Sequence, residues 1–242
     1  MGAVLIGCTD QQDADVINNP TEETSNVENK GEKKLYVSPE VSSGDEAMEL
    51  LVAGNERYVN GELKNYDLGN DRRTLLAEGQ KPHTVVVTCS DSRVAPEHLF
   101  DQGIGDIFVI RVAGNILDKA EIGSIEYAVA NLGSPLVVVL GHEDCGAVTA
   151  AVNKVLNPED SKTTENIDAF LDNIEPAVKV AVDEDAKLEG QELIEKVADL
   201  NVEMSLDQLL KDSELIKTAV DDGKVKIVGA KYELSSGNAV YQ

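Results

Sequence analysis

Four short, continuously apolar runs constrain this chain more than any other feature. They are residues 84–88 (TVVVT), 107–112 (IFVIRV), 136–140 (LVVVL) and 225–230 (VKIVGA). A strand with one wet face alternates apolar and polar residues, whereas a strand covered on both faces does not. Runs of this kind, separated by stretches with helical spacing, predict an α/β fold with a mostly parallel β-sheet core flanked by helices. Residues 124–131 have the pattern of a crossover helix, which Gly133, Ser134 and Pro135 stop. Ser43 or Gly44 caps an earlier helix with apolar Met48, Leu50, Leu51 and Val52, and Gly54 is expected to interrupt it.

The chain has 242 residues, enough for one good-sized domain. Residues 1–42 differ from the rest. A short apolar start is followed by a stretch rich in Asp, Asn, Thr, Glu, Gln and Ser. Such a stretch buries too little to offset the entropy of ordering it, so 1–42 reads as a disordered tail and 43–242 as the globular domain. The formal charge of −24 argues against nucleic acid or an anionic membrane face as a partner, since both need basic patches. Residues 157–222 hold much of that charge on helical patterns. Their apolar face includes Leu193, Ile194, Val197, Leu200 and Met204, and the acidic face reads as solvated surface rather than a binding site.

Two polar segments directly follow two of the predicted strands. Cys89-Ser90-Asp91-Ser92-Arg93 follows TVVVT, and Gly141-His142-Glu143-Asp144-Cys145-Gly146 follows LVVVL. Sites in open α/β sheets gather at the carboxyl ends of strands. Cys89, His142 and Cys145 can therefore meet, and two thiolates with one imidazole suit Zn²⁺. Three protein ligands leave a fourth position for water, which marks a catalytic site. Asp91 is close enough in sequence to reach the metal as a further ligand, or instead the metal's water. Arg93 can hold Asp91 in a bidentate pair. A cysteine hydrolase would also place a Cys at a strand end near a His, but the paired segments favour the metal. His83 and His98 read as surface or supporting residues. Glu143 and Asp144 read equally as a proton relay or an exposed turn.

These segments resemble the β-class carbonic anhydrases over roughly residues 44–240. CSDSRV (89–94) and GHEDCGAV (141–148) carry the resemblance. It is supported by Gly54-Asn55-Glu56-Arg57-Tyr58, Gly79-Gln80-Lys81-Pro82, Arg111-Val112-Ala113-Gly114-Asn115, Gly123-Ser124-Ile125-Glu126-Tyr127-Ala128 and Val228-Gly229-Ala230. It implies reversible hydration of CO₂ to bicarbonate, with one zinc per chain on Cys89, His142 and Cys145. It also implies an Asp91–Arg93 dyad beside the metal, with Asp91 either closing the site as a ligand or paired to Arg93. Gln80, Phe108 and Gly146 match positions near the CO₂ or bicarbonate pocket in some members. No tyrosine stands at residues 118–122, where some members place one. The resemblance further implies an N-terminal helical arm around residues 48–59 and a homodimer or higher even-numbered oligomer. The alternatives are a zinc hydrolase of carbon disulfide or carbonyl sulfide and a non-catalytic zinc sensor or scaffold. An intact Asp91 and Arg93 speak against the last.

Cys8 is not needed for zinc. Leu5-Ile6-Gly7-Cys8 fits a bacterial lipobox, which would put a lipid on Cys8 and make the following polar stretch a membrane tether. Against this, residues 1–7 have no basic segment and only a short apolar core. Lipid-anchored export and a cytoplasmic enzyme stand as equal readings.

Overall fold

The computed structural model describes residues 35–66 and 68–242. Cys8 and the lipobox expectation lie outside the described residues. No helix among those described is long and apolar enough to cross a membrane.

The four predicted runs form strands β1 (Thr84–Thr88), β2 (Ile107–Arg111), β3 (Leu136–His142) and β4 (Lys226–Tyr232), all parallel. A short fifth strand, β5 (Ala239–Tyr241), adds antiparallel to β4, and the order is β2-β1-β3-β4-β5. Three residues are too few for a sequence period, so β5 had no local signature. Every residue of β1 and β3 is buried, as continuous apolar runs require.

Alternate residues of each strand feed two separate cores. Val86, Val138, Leu140, Val228 and Ala230 face helix α1 (Gly44–Asn60) and the short helix α3 (Pro96–Leu99). Val85, Val87, Val137 and Val139 face the opposite layer, with Ile122 and Ile125 of α4 (Lys119–Tyr127) and Ile216 of α8 (Glu214–Asp221). A third core lies beyond the sheet, where α5 (Gly146–Leu156), α6 (Glu165–Glu184) and α7 (Gly190–Asp212) pack together. The acidic stretch thus buries Leu171, Ile174, Val178, Leu193, Val197 and Leu200 and exposes its carboxylates. The crossover helix starts at Lys119, earlier than its apolar pattern suggested, because Asp118 and Glu121 form a capping box.

Helix α1 begins as expected, with the Ser43 side chain accepting the Glu46 N–H. Gly54 does not interrupt it. The helix runs on to Asn60 because Gly54 lies against α3, where an added Cβ would sit 1.7 Å from the Phe100 carbonyl oxygen. Glycine is there for close approach. Ala47 and Leu51 bury α1 on its own sheet, while Val52 and Val59 stay exposed. Ahead of α1 the packed chain reaches back to Tyr36. The Tyr36 hydroxyl and the Ser38 hydroxyl donate to the buried Asp106 carboxylate, both at 2.5 Å, and the fully buried guanidinium of Arg72, on helix α2 (Asn70–Leu76), donates to the Ser38 hydroxyl at 2.7 Å.

Candidate active site

The strand order turns around between β1 and β3, which lie side by side although β2 intervenes in sequence. Thr88 ends β1 opposite Leu140 and donates its hydroxyl to the Leu140 carbonyl at 2.9 Å. That register places Cys89, the next residue, beside the end of β3, where His142 stands. Cys145 follows a tight turn and caps the N-terminus of α5. Asp144 takes a left-handed conformation (φ 51°) in that turn.

The result is one compact cluster. The ligand atoms of Cys89, His142 and Cys145 lie within 4.8 Å of one another, and the three residues are 5%, 0% and 1% exposed. The sulfurs are 4.0 Å apart. A disulfide needs about 2.05 Å, whereas two thiolates at about 2.3 Å from a tetrahedral ion stand roughly 3.8 Å apart. The separation fits a shared cation. His142 Nδ1 is 2.7 Å from the Glu143 carbonyl, an acceptor only, so Nδ1 carries the proton. That leaves Nε2 with a free lone pair, buried and without a hydrogen-bond partner. A buried orphan nitrogen is costly unless something else meets it. Two soft sulfurs and one borderline nitrogen suit zinc.

The sulfurs are electrostatically unequal. The hydrogen bond with Cys145 holds the Cys89 thiol well below the ordinary thiol range, against its own burial, with help from the Gly114 N–H. The same bond and burial push the Cys145 thiol up. For both sulfurs to be thiolates this close and this dry, positive charge must stand between them.

Asp91 and Arg93 sit at the rim. Arg93 Nε donates to Asp91 Oδ1 at 2.9 Å, Arg93 Nη2 to Oδ2 at 2.7 Å, and the Arg93 backbone N–H to Oδ1 at 2.9 Å. Arg93 holds the Asp91 carboxyl well below the usual carboxylate range. Of the two expected arrangements, the structure holds the one in which Asp91 is paired with Arg93 and stands apart from the cluster of ligands. Arg93 Nη2 also donates to the Asp144 carbonyl at 3.3 Å. Arg111, at the end of β2, holds the loop from behind, donating to the carbonyls of Cys89 (3.1 Å) and Asp91 (2.5 Å). The sequence marked Arg111 only as part of a shared segment. Its position one strand away is what gives it this work.

The remaining candidates are scattered. Gln80 is exposed and precedes β1, so a full strand separates it from Cys89 in its own chain. Phe108 is the second residue of β2, opposite Val85 near the same far end. Gly146 opens α5 beside Cys145, and an added Cβ there would meet nothing within 4 Å. A need for close approach is therefore not what fixes it. His83 is buried before β1 between Thr84 and Gln102, and His98 is exposed; neither joins the cluster. Glu143 accepts the Leu234 N–H at 2.9 Å, and Asp144 is gripped by α7, where Gln191 donates to its carboxylate and Glu195 accepts its N–H. Both acids are thus spent on holding loops.

Comparison with known proteins agrees with this site. The family model described as carbonic anhydrase matches residues 84–239. "Carbonic anhydrase 2" of Mycobacterium tuberculosis is 38% identical over 194 residues, 80% of this chain and 90% of that protein. The carbonic anhydrase of Mycolicibacterium smegmatis is 38% identical over 195 residues, with 79% and 89% covered. Among solved structures, the β-carbonic anhydrase CcaA superposes with a TM-score of 0.66 at 28% identity, covering 80% of this chain and 94% of that one. One of two tetrameric β-carbonic anhydrases from Sordaria macrospora gives 0.63 at 26% identity, with 78% and 90% covered. Sequence, sheet order and the cysteine–histidine cluster converge, and the chain belongs to the β-class carbonic anhydrases, a family of enzymes.

Proposed function

We propose that this enzyme reversibly hydrates CO₂ to bicarbonate and a proton, with one zinc ion per chain held by Cys89, His142 and Cys145. One observation carries the reading: the buried His142 Nε2 has no partner and belongs to the same 4.8 Å cluster as two cysteine sulfurs, at a strand-order reversal, in a chain of this family. Zinc in such a site acidifies water from a pKa of 15.7 toward about 7, and so supplies a nucleophile near neutral pH.

The chain's own residues do the rest. Asp91 stays ionised because Arg93 occupies both its oxygens, and an ionised carboxylate is an acceptor only. It takes a hydrogen bond from the attacking water and so fixes the direction of the remaining lone pair toward the carbon of CO₂. Arg93 and Arg111 keep that carboxylate and its loop in place. Asp91 titrates far below neutrality, so it adds no proton step of its own at neutral pH. CO₂ hydration should therefore rise with pH across about 6 to 9, following the ionisation of water alone. Stopped-flow hydration over that window, with zinc analysis on the same sample, tests both claims. A flat or falling rate, or a protein without zinc, would contradict them.

The pocket is proposed to be completed by a second copy. Gln80 lies at the wrong end of its own β1 to reach its own zinc ligands, and Val52 and Val59 leave an apolar stripe of α1 uncovered. A homodimer or a multiple of it satisfies both. In this reading residues 43–242 form the catalytic unit, and the packed segment that begins at Tyr36 joins it rather than the tail. Light scattering of active enzyme should give an even-numbered oligomer, and a fully active monomer would refute it.

A further inference from the structure

Helix α7 belongs to the acidic stretch that the sequence assigns to solvated surface. One of its polar residues is nevertheless buried deep beside the metal cluster. Asn201 is 3% exposed and donates its side-chain amide to the Gly114 carbonyl at 2.9 Å. Gly114 donates its own N–H to the Cys89 sulfur, at 3.4 Å. Asn201 and Cys89 are thus joined through a single glycine.

That glycine needs holding. Gly114 and Asn115 are consecutive left-handed residues, at φ 71° and 45°. Glycine visits many conformations at little cost, and asparagine enters the left-handed region more readily than most residues, so neither fixes this turn by itself. Ile174 of α6 blocks one side, since a Cβ on Gly114 would come 2.6 Å from its Cδ1. The Asn201 amide fixes the carbonyl on the other. Ser205, one turn on, donates its hydroxyl to the Asn201 carbonyl at 2.8 Å and so ties the side chain's own turn of helix. The same helix grips the second sulfur's loop, because Glu195 accepts the N–H of Asp144, next to Cys145.

We infer that Asn201 is a positioning residue for the metal centre, holding the Gly114 N–H on the Cys89 sulfur and thereby setting the charge which that sulfur gives to the metal. The inference rests on the zinc reading above. An N–H bond to a thiolate lowers the energy of its lone pairs. Losing it makes the sulfur a stronger donor to an acceptor metal and frees the loop that carries it.

Cobalt(II) in place of zinc gives a direct readout, because the sulfur-to-metal charge-transfer band reports the energy of those lone pairs. In Asn201→Leu that band should move to longer wavelength. Zinc affinity should fall by about 10- to 100-fold, because the freed loop costs more than the stronger donor returns, the usual cost of removing a residue that orients a ligand. Val202→Ala is the control. Val202 is fully buried on the same helix against Gly141 and Gly229, and its apolar side chain can hydrogen-bond to no part of the relay, so a merely structural role for α7 would move the band in both variants. A band unmoved in Asn201→Leu, or moved equally in Val202→Ala, overturns the inference. The unmutated protein gives a test independent of whether the variant folds. With ¹¹³Cd at the site, the Gly114 amide proton should show a scalar coupling to the metal through sulfur, and its absence also overturns the inference. Failure of the unmutated chain to bind cobalt, cadmium or zinc would instead sink the zinc reading itself.

Discussion

Cys145→Ala should lose zinc and activity together. In the proposed site the substitution removes one of three ligands and leaves Cys89 and His142 with two open positions. Changing a residue that merely orients a ligand costs about 10- to 100-fold in metal affinity, so losing the ligand itself should exceed the top of that range, and protein purified at ordinary zinc levels should be nearly metal-free. The fold should survive. Cys145 is 1% exposed, but alanine differs from it by one sulfur atom, and α5 is held by Val148, Ala151 and Val152 in the same helical core. Metal analysis, thermal unfolding and stopped-flow hydration on one preparation separate the outcomes. Full zinc content in a folded variant would show that the assignment of Cys145 is wrong.

Arg93→Ala should do the opposite to the metal and nearly the same to the rate. Arg93 is half exposed, so its removal opens no cavity. It strips Asp91 of both guanidinium bonds and leaves only the backbone N–H. The pair depresses the Asp91 pKa, so its contribution is complete above the ordinary carboxylate pKa and is lost as pH falls through the lowered value. Removing Arg93 raises that pKa toward about 3.9, still far below neutrality. The carboxylate therefore keeps its charge at pH 7 and loses only its position, free to turn toward the metal and displace water. Zinc should remain at one per chain while hydration falls by about 100-fold, the scale of misplacing an orienting group by about 1 Å. Arg93→Lys should not rescue, because an ammonium cannot hold both carboxylate oxygens in one plane. Wild-type turnover in either variant would count against the dyad.

The two halves of the site were unequally visible in the sequence. Cys89, Asp91 and Arg93 lie within five residues, and His142 and Cys145 within four, so the chemistry of each half shows as spacing. The strands that carry them show as buried apolar runs. What joins the halves is a parallel pairing across more than fifty residues, and it was expected only because sites in open sheets gather at strand ends. Gln80 and Phe108 illustrate the limit. They rest on the resemblance alone, and whether they line a pocket depends on packing that no local period records.

By itself the sequence determined the buried strands, the cap at Ser43, the apolar faces of the helices and the cysteines and histidine at two strand ends. Each of these is written in neighbours or in a short period, which local geometry turns directly into structure. Tertiary structure alone decided that α1 runs through Gly54, that Arg111 braces the Cys89 loop, that Tyr36 and Ser38 reach Asp106, and that Asn201 holds Gly114 from 87 residues away. The physical reason is common to all four. One polar or small residue carries no period, and its partner is chosen by how packed elements meet. On an acidic helix, a single buried amide is indistinguishable from its solvated neighbours until the fold places it.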